Sequence, residues 1–281
     1  MRTHHGYSPD ARALLQKAVA AEPPRLDWAA LAVAMLEHPE VDVAACEALF
    51  ASYAQRVRAQ SPSAHDALEQ MTALRRVLGD EEGFRGNTTD YASPENSFLD
   101  RVLETKVGLP IALSVVYLEV ARRAGIPLFG VSFPGHFLTA CEARDGKLVM
   151  DPFRGGQILT ETGCEDLMRQ VAPQVKFNPQ KMLVPASVKV IAARMLNNLK
   201  RTYLEQGHGA QALGAVDLLL VLNPDHPGEL RTRANLLAAL GAYRAALADV
   251  ERCLELSPDA PDQQALRLTA GALRQRVDFL N

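Results

Sequence analysis

The sequence predicts an α+β fold in three parts. These are an N-terminal helical lobe (1–80), a core in which an antiparallel sheet packs on a buried helix (81–180), and an all-α C-terminal tail (181–281). Three observations carry this. Apolar residues recur at helical spacing from residue 9 to 75. The period changes to two after Gly125-Ile126-Pro127. The last third is an internal repeat, aligning 195–228 with 229–262 at a period of about 34 residues.

The lobe opens on Ser8-Pro9-Asp10, a helix start, followed by apolar residues at helical spacing. "LDWAALAVAMLEH" and "VDVAACEALFASYAQRVRAQ" repeat that pattern, the latter with Leu49, Tyr53 and Val57 on one face. A polar break, "SPSAHD", precedes the helical "ALEQMTALRRVLGDE". "GFRGNTTDYASPENS" is then a loop, rich in Gly, Asn, Thr and Ser. Ser93-Pro94-Glu95 starts a short helix through "NSFLDRVLET".

The next helix, "IALSVVYLEVARRAG", has Pro110 in its first turn, where a missing N–H costs nothing, and Gly125 at its end. It is apolar nearly all round as far as Arg122, so it is expected in the middle of a domain. "LFGVSF", "HFLTACEA" and "KLVMDP" alternate as strands, the last two joined by the tight turn "RDGK". In the tail, Gly207 pairs with Gly241, Ala212 with Ala246, Leu220 with Leu254 and Pro224-Asp225 with Pro258-Asp259. Each unit is two amphipathic helices with a Gly turn and a Pro stop. "QQALRLTAGALRQRVDFLN" is a terminal helix that caps the stack with polar residues on its outer face.

Composition narrows the function. Of 281 residues, 48% are apolar and 22% charged, with a net charge of −3 and no basic cluster. This argues against nucleic acid as partner, because such binding needs clustered cations. No apolar run is long enough to span a bilayer, and the N-terminus lacks a secretory pattern. Cys46, Cys141, Cys164 and Cys253 stand far apart, as free thiols in a reducing cytoplasm do. His4 and His5 have no Cys or acidic residue at ligand spacing, so neither a metal nor another cofactor is expected.

The chemistry concentrates in "FPGHFLTACEARDGKLVMDP". His136 on one strand and Asp151 at the end of the next are two members of a Cys-His-Asp arrangement, base and orienter. The third member, a thiolate at a helix N-terminus, is the gap. The pair has two readings: a buried imidazole–carboxylate bond that fixes two strands, or a ligand or residual catalytic site. Asn87, Tyr91, Asn96 and Ser97 in the preceding loop are candidates to line a pocket there. Against that stands ordinary turn and cap chemistry.

Gly108, the helix to Arg123, Gly125-Ile126-Pro127, His136 and Asp151-Pro152 together resemble the transglutaminase-like superfamily. The resemblance implies a nucleophilic cysteine about fifteen residues before Gly125, but that position is Pro110, flanked by Leu109 and Ile111. "GFRGNTTDYASPENSFLDRVLETKVGLPI", "DPFRGG" and "MLNNLKRTYL" narrow the likeness further. They resemble a bacterial transglutaminase-like family with C-terminal tetratricopeptide repeats, the SirB-type invasion-regulator homologues, in which a Gly-x-Pro-Ile segment generally replaces the cysteine. The repeat units resemble tetratricopeptide repeats without the early tryptophan.

Among substitutes for the cysteine, Ser114 lies one turn after Pro110, and its other reading is a small residue packing a buried helix. Cys141 falls on the opposite strand face from His136, and Cys164 reaches the site only by a fold-back. The expected function is a non-catalytic scaffold that binds a protein or peptide through the repeat region. The rival is a hydrolase or acyl transferase that uses His136 and Asp151 with a non-standard nucleophile or water. With only two repeats and a cap, the tail is also expected to dock on the core.

Overall fold

The computed structural model describes residues 9–61, 66–144, 146–259 and 261–279. Ser8, His4, His5, residues 62–65 of the polar break and Asp145 of the tight turn lie outside the described residues. The lobe holds α1 (Pro9–Ala20), α2 (Leu26–Ala34), α3 (Val43–Gln60) and α4 (Ala67–Leu74). The chain leaves α4 through a π-helical turn, Arg75–Glu81. The core follows with β1 (Arg85–Gly86), a 3-10 turn (Pro94–Ser97), α5 (Leu99–Thr105) and β2 (Val107–Gly108). Then come α6 (Pro110–Ala124), β3 (Phe129–Val131), β4 (Leu138–Ala143) and β5 (Gly146–Asp151). A second 3-10 turn (Pro152–Arg154), β6 (Gln157–Leu159), α7 (Glu161–Val171) and α8 (Pro179–Met182) complete it. The tail is α9 (Val188–Glu205), α10 (Gly209–Leu222), α11 (Pro227–Ala239), α12 (Tyr243–Leu256) and α13 (Gln263–Phe279).

Helix α6 organises the core, as its all-round apolarity demands. Every residue from Pro110 to Ala121 is buried. Its surroundings come from α2, α3, α5, β4 and the turn at 152–154. The sheet has the order β3-β4-β5-β6, antiparallel throughout, with Cys141 opposite Leu148 and Asp151 opposite Gln157. Successive side chains point to opposite faces. Cys141 and Met150 therefore join the α6 core, while Leu138, Ala140 and Val149 pack under Leu167 and Met168 of α7. The outer edge of β3 is covered by the strand-like bridge from Val131 to Pro185.

One apolar core runs through all three regions. Ile191, Met195, Leu196, Leu199 and Tyr203 of α9 share a cluster with α1, α2 and α6. The tail thus docks on the core through its first helix. A second cluster, from Leu213 to Leu273, stacks α10 to α13. Gly207 and Gly241, paired in the repeat, both take positive φ (74° and 78°) at the turns that follow α9 and α11. The outer face of α13 is not uniformly polar: Leu268 and Phe279 stand exposed.

Some boundaries differ from the sequence reading. The strand containing "HFLTACEA" begins at Leu138, so His136 precedes it in a turn. Phe98, in extended backbone, separates the 3-10 turn from α5. The helix through "RRVLGDE" widens to π geometry, which brings Gly79 against the backbone of Gly155. A Cβ at Gly79 would lie 2.0 Å from the Gly155 carbonyl oxygen. Gly79→Ala must displace the turn after Asp151. It is expected to cost about 3 kcal/mol, read as a lower urea midpoint; an unchanged midpoint would show that the two segments part freely.

Candidate functional site

His136 stands in a turn that only the tertiary structure explains. Its N–H donates to the Phe133 carbonyl at 3.1 Å. Gly135 has φ 65°, and a Cβ there would lie 2.9 Å from the Val171 carbonyl oxygen at the end of α7. A side chain at 135 is therefore excluded both by conformation and by space. From the tail, Arg194 holds the same turn. Its Nη1 donates to Ser132 Oγ at 2.8 Å, and its Nη2 donates to the carbonyls of Phe133 (2.9 Å) and His136 (2.6 Å). The guanidinium also sits 5.5 Å from the centroid of the Phe137 ring.

Asp151 ends β5 and is fully buried. Its Oδ1 lies 2.9 Å from His136 Nε2 and accepts the Phe153 N–H at 3.0 Å. Arg154 Nε faces its Oδ2 at 3.6 Å. The Phe153 ring meets the imidazole edge-on, with centroids 5.7 Å apart. With Nε2 directed to the carboxylate, Nδ1 is left as the ring nitrogen for a ligand. It is an acceptor in the neutral ring and a donor in the cation.

His136 opens onto a cleft of about 470 Å³. One wall is the start of α6, Leu109 to Ile111, and a second is the turn Gly135 to Phe137. Tyr91, Ala92 and Ser93 supply a third. The fourth is α9, through Arg194, Asn198, Arg201, Thr202, Glu205 and Gln206. Pro110 and Tyr91 therefore share the cleft with His136. Asn87, Asn96 and Ser97 do not line it. Asn87 Nδ2 donates to Asn96 Oδ1 at 2.9 Å, and Asn96 Nδ2 to the Asp90 carbonyl at 2.6 Å. Asn87 Oδ1 accepts the Thr89 and Asp90 N–H groups. Ser97 is buried beside them in the sequence, at 3% exposure. These residues shape the loop that presents Tyr91.

No cysteine lines the cleft. Cys141 Sγ lies 3.2 Å from Met71 Sδ on α4, inside the core. Cys164 is buried in α7, where burial pushes its thiol up to about 11. Burial does the same to Cys46 in the lobe, again to about 11. Ser114 is fully buried, and its hydroxyl donates to the Pro110 carbonyl at 2.8 Å, a bond back to the preceding turn. No group of three or more His, Cys, Asp or Glu side chains among the described residues could hold a metal ion. No helix among them is long and apolar enough to cross a membrane.

The residues that sequence reasoning missed are those of α9. Arg194, Asn198 and Arg201 recur at spacings of four and three, as a stripe about 110° around the helix from Met195 and Leu199. That polar stripe was readable as a second helix face. Its destination was not, because the cleft forms only when the tail docks.

Comparison with known proteins agrees with this fold. The model of the transglutaminase-like superfamily matches residues 44–197, more than half of the chain, and a tetratricopeptide-repeat model matches 199–270. A UPF0162 protein of Xylella fastidiosa is 36% identical over 244 residues, covering 85% of this chain and 86% of that protein. A UPF0162 protein of Pseudomonas aeruginosa is 30% identical over 264 residues, covering 94% and 96%. The human F-box only protein 21 is 33% identical over 186 residues, 62% of this chain but 28% of that longer protein. A tetratricopeptide tail docked on an α6-centred core, with matches over nearly the full length, places the chain in the transglutaminase-like superfamily, as a member of its bacterial UPF0162 family.

Proposed function

We propose that this protein is a non-catalytic scaffold whose cleft, walled by the core and by the first helix of the repeat tail, holds a peptide segment of a partner protein. The observation that carries this is Pro110. It occupies the first turn of α6 beside His136, where acyl transfer needs a nucleophile, and its side chain has none to offer. The cleft remains open and is lined by a mixture of apolar and hydrogen-bonding side chains, as peptide sites are. Stacked helix pairs of this kind generally present surfaces to other proteins.

A second reading has its own support: the His136–Asp151 pair, at 2.9 Å, could direct a water or an unconventional nucleophile. Two measurements separate them. Fluorophosphonate and iodoacetamide probes are expected to give no labelling that depends on His136. Labelling lost in His136→Ala establishes the enzyme instead. In parallel, a displayed random-peptide library panned on the full chain is expected to enrich sequences that no longer bind Asn198→Trp, in which the indole fills the cleft. Absent enrichment, or enrichment equal on both proteins, removes the scaffold reading.

A further inference from the structure

The cleft has an unbalanced charge, and it comes from α9. Arg194 is half-buried, and its hydrogen-bond partners are all neutral: a hydroxyl and two carbonyls. Burial pushes its guanidinium down from its ordinary value; Tyr91 opposes this, and the nearby charge of Arg201 adds to it. Arg201 is exposed at the cleft, and among the described residues no hydrogen bond or ion pair engages it. Native proteins normally pair a partly buried guanidinium with an acid. Here the cleft's own acid is Glu205, one turn beyond Arg201, and no ion pair joins it to either arginine. The charged residues of the α9 wall are thus two guanidiniums and one carboxylate, a surplus of a single positive charge.

We infer that the α9 wall takes a carboxylate carried by the bound peptide, with Arg201 as the free fork that grips it and Arg194 as a fixed positive neighbour. This rests on the peptide-binding reading above and adds the chemistry of the ligand. A guanidinium presents parallel N–H donors that match a carboxylate bidentately. Arg194 already uses three hydrogen bonds on the His136 turn, so it contributes mainly field, while Arg201 keeps its donors free. A single surplus charge suits a monoanionic carboxylate; a phosphate dianion would leave the cleft negative. The carboxylate can belong to an Asp or Glu side chain or to a chain end, and the same fork serves both.

Arrays of random-sequence peptides test this with the labelled full-length protein. They are made with or without Asp and Glu, and with free or amidated C-termini. Versions bearing either carboxylate are expected to bind about tenfold or more above the neutral, amidated version, and Arg201→Gln to remove about that factor. Arg201→Lys should restore part of it. Which carboxylate-bearing version binds identifies the source. Because Arg201 is exposed, thermal unfolding of both variants should match the parent and so exclude a folding defect.

Neutral peptides that bind as well as acidic ones overturn the carboxylate inference while leaving a peptide-binding cleft. Failure of every version to bind removes both readings. Binding unchanged in Arg201→Gln also overturns the inference. So does displacement by inorganic phosphate about tenfold more effective than by acetate at matched ionic strength, since the site would then be one for phosphate.

Discussion

Asp27→Ala is expected to cost about 3–5 kcal/mol of folding stability. Asp27 is fully buried in the first turn of α2. Its carboxylate receives Arg25 Nε at 2.9 Å and Nη2 at 2.7 Å, and Arg123 Nη2 from α6 at 2.6 Å. Arg123 and Arg122 also meet Glu119, itself 1% exposed, so the network ties the lobe to the central helix. Removing this carboxylate leaves Arg25 with Glu47 alone and Arg123 with Glu119 alone, so the donors that faced Asp27 lose their buried acceptor, and that loss is the source of the cost. Urea unfolding with an unchanged m-value is the measurement. A loss below about 1 kcal/mol would mean that solvent rescues the arginines, as at a surface pair.

The same group carries a pH signature. Burial alone raises the Asp27 carboxyl, but the hydrogen bonds from Arg25 and Arg123 outweigh it and hold the carboxyl below its ordinary value. A depressed folded pKa gives stability that is complete above the unfolded value, about 3.9. That stability is lost as pH falls from there through the folded value. The stability difference between the parent and Asp27→Asn should therefore be flat from neutral pH to about 5, then shrink below about 4.

Pro110→Cys is expected to create a thiol that iodoacetamide alkylates at pH 6 about tenfold faster than free cysteine. The position is the first of α6, where unpaired backbone N–H groups and the helix dipole favour an anion. His136 lines the same cleft with Nδ1 uncommitted. Together these should move the thiol about two units below 8.5. The thiolate fraction at pH 6 then rises about 75-fold, and the accompanying loss of nucleophilicity takes back about 6- to 10-fold of that, which leaves about tenfold. The background is quiet, because burial raises all four native thiols. His136→Ala in the Pro110→Cys protein should return the rate toward that of a free thiol. A rate already ordinary with His136 present would show that the helix start and the imidazole do not act on one another.

Much of the architecture was legible because the signals were local. Pro110 and Gly125 bound α6 as their backbone preferences require, and Asp151 closes β5 just before a proline. The glycines and prolines of the repeat mark its turns. What escaped was set by contacts distant in sequence. The alternation around His136 reads as a strand, but the close approach of Val171 forces Gly135 into a left-handed turn first. The strand β6 escaped, since "GGQILT" is too short and too polar to announce one. In the loop, Asn87 and Asn96 are amides like those of many binding sites, and only the structure shows them bonded to one another and to the loop backbone. The cleft's charge lay in a part of the chain that sequence reasoning treated as tail.

Because α9 is both the first helix of the repeats and a wall of the cleft, the two ends of the tail are free to evolve on different terms. No described residue of α13 lines the cleft, so whole repeats can be added beyond it and only the length of the stack changes. At α9, inserting one residue turns everything after it by about 100°. That rotation would swing Arg201 out of the cleft and carry the apolar face of Leu199 and Tyr203 off the core. Length should therefore vary at the far end among relatives, while the connection into α9 tolerates changes of residue but not of register.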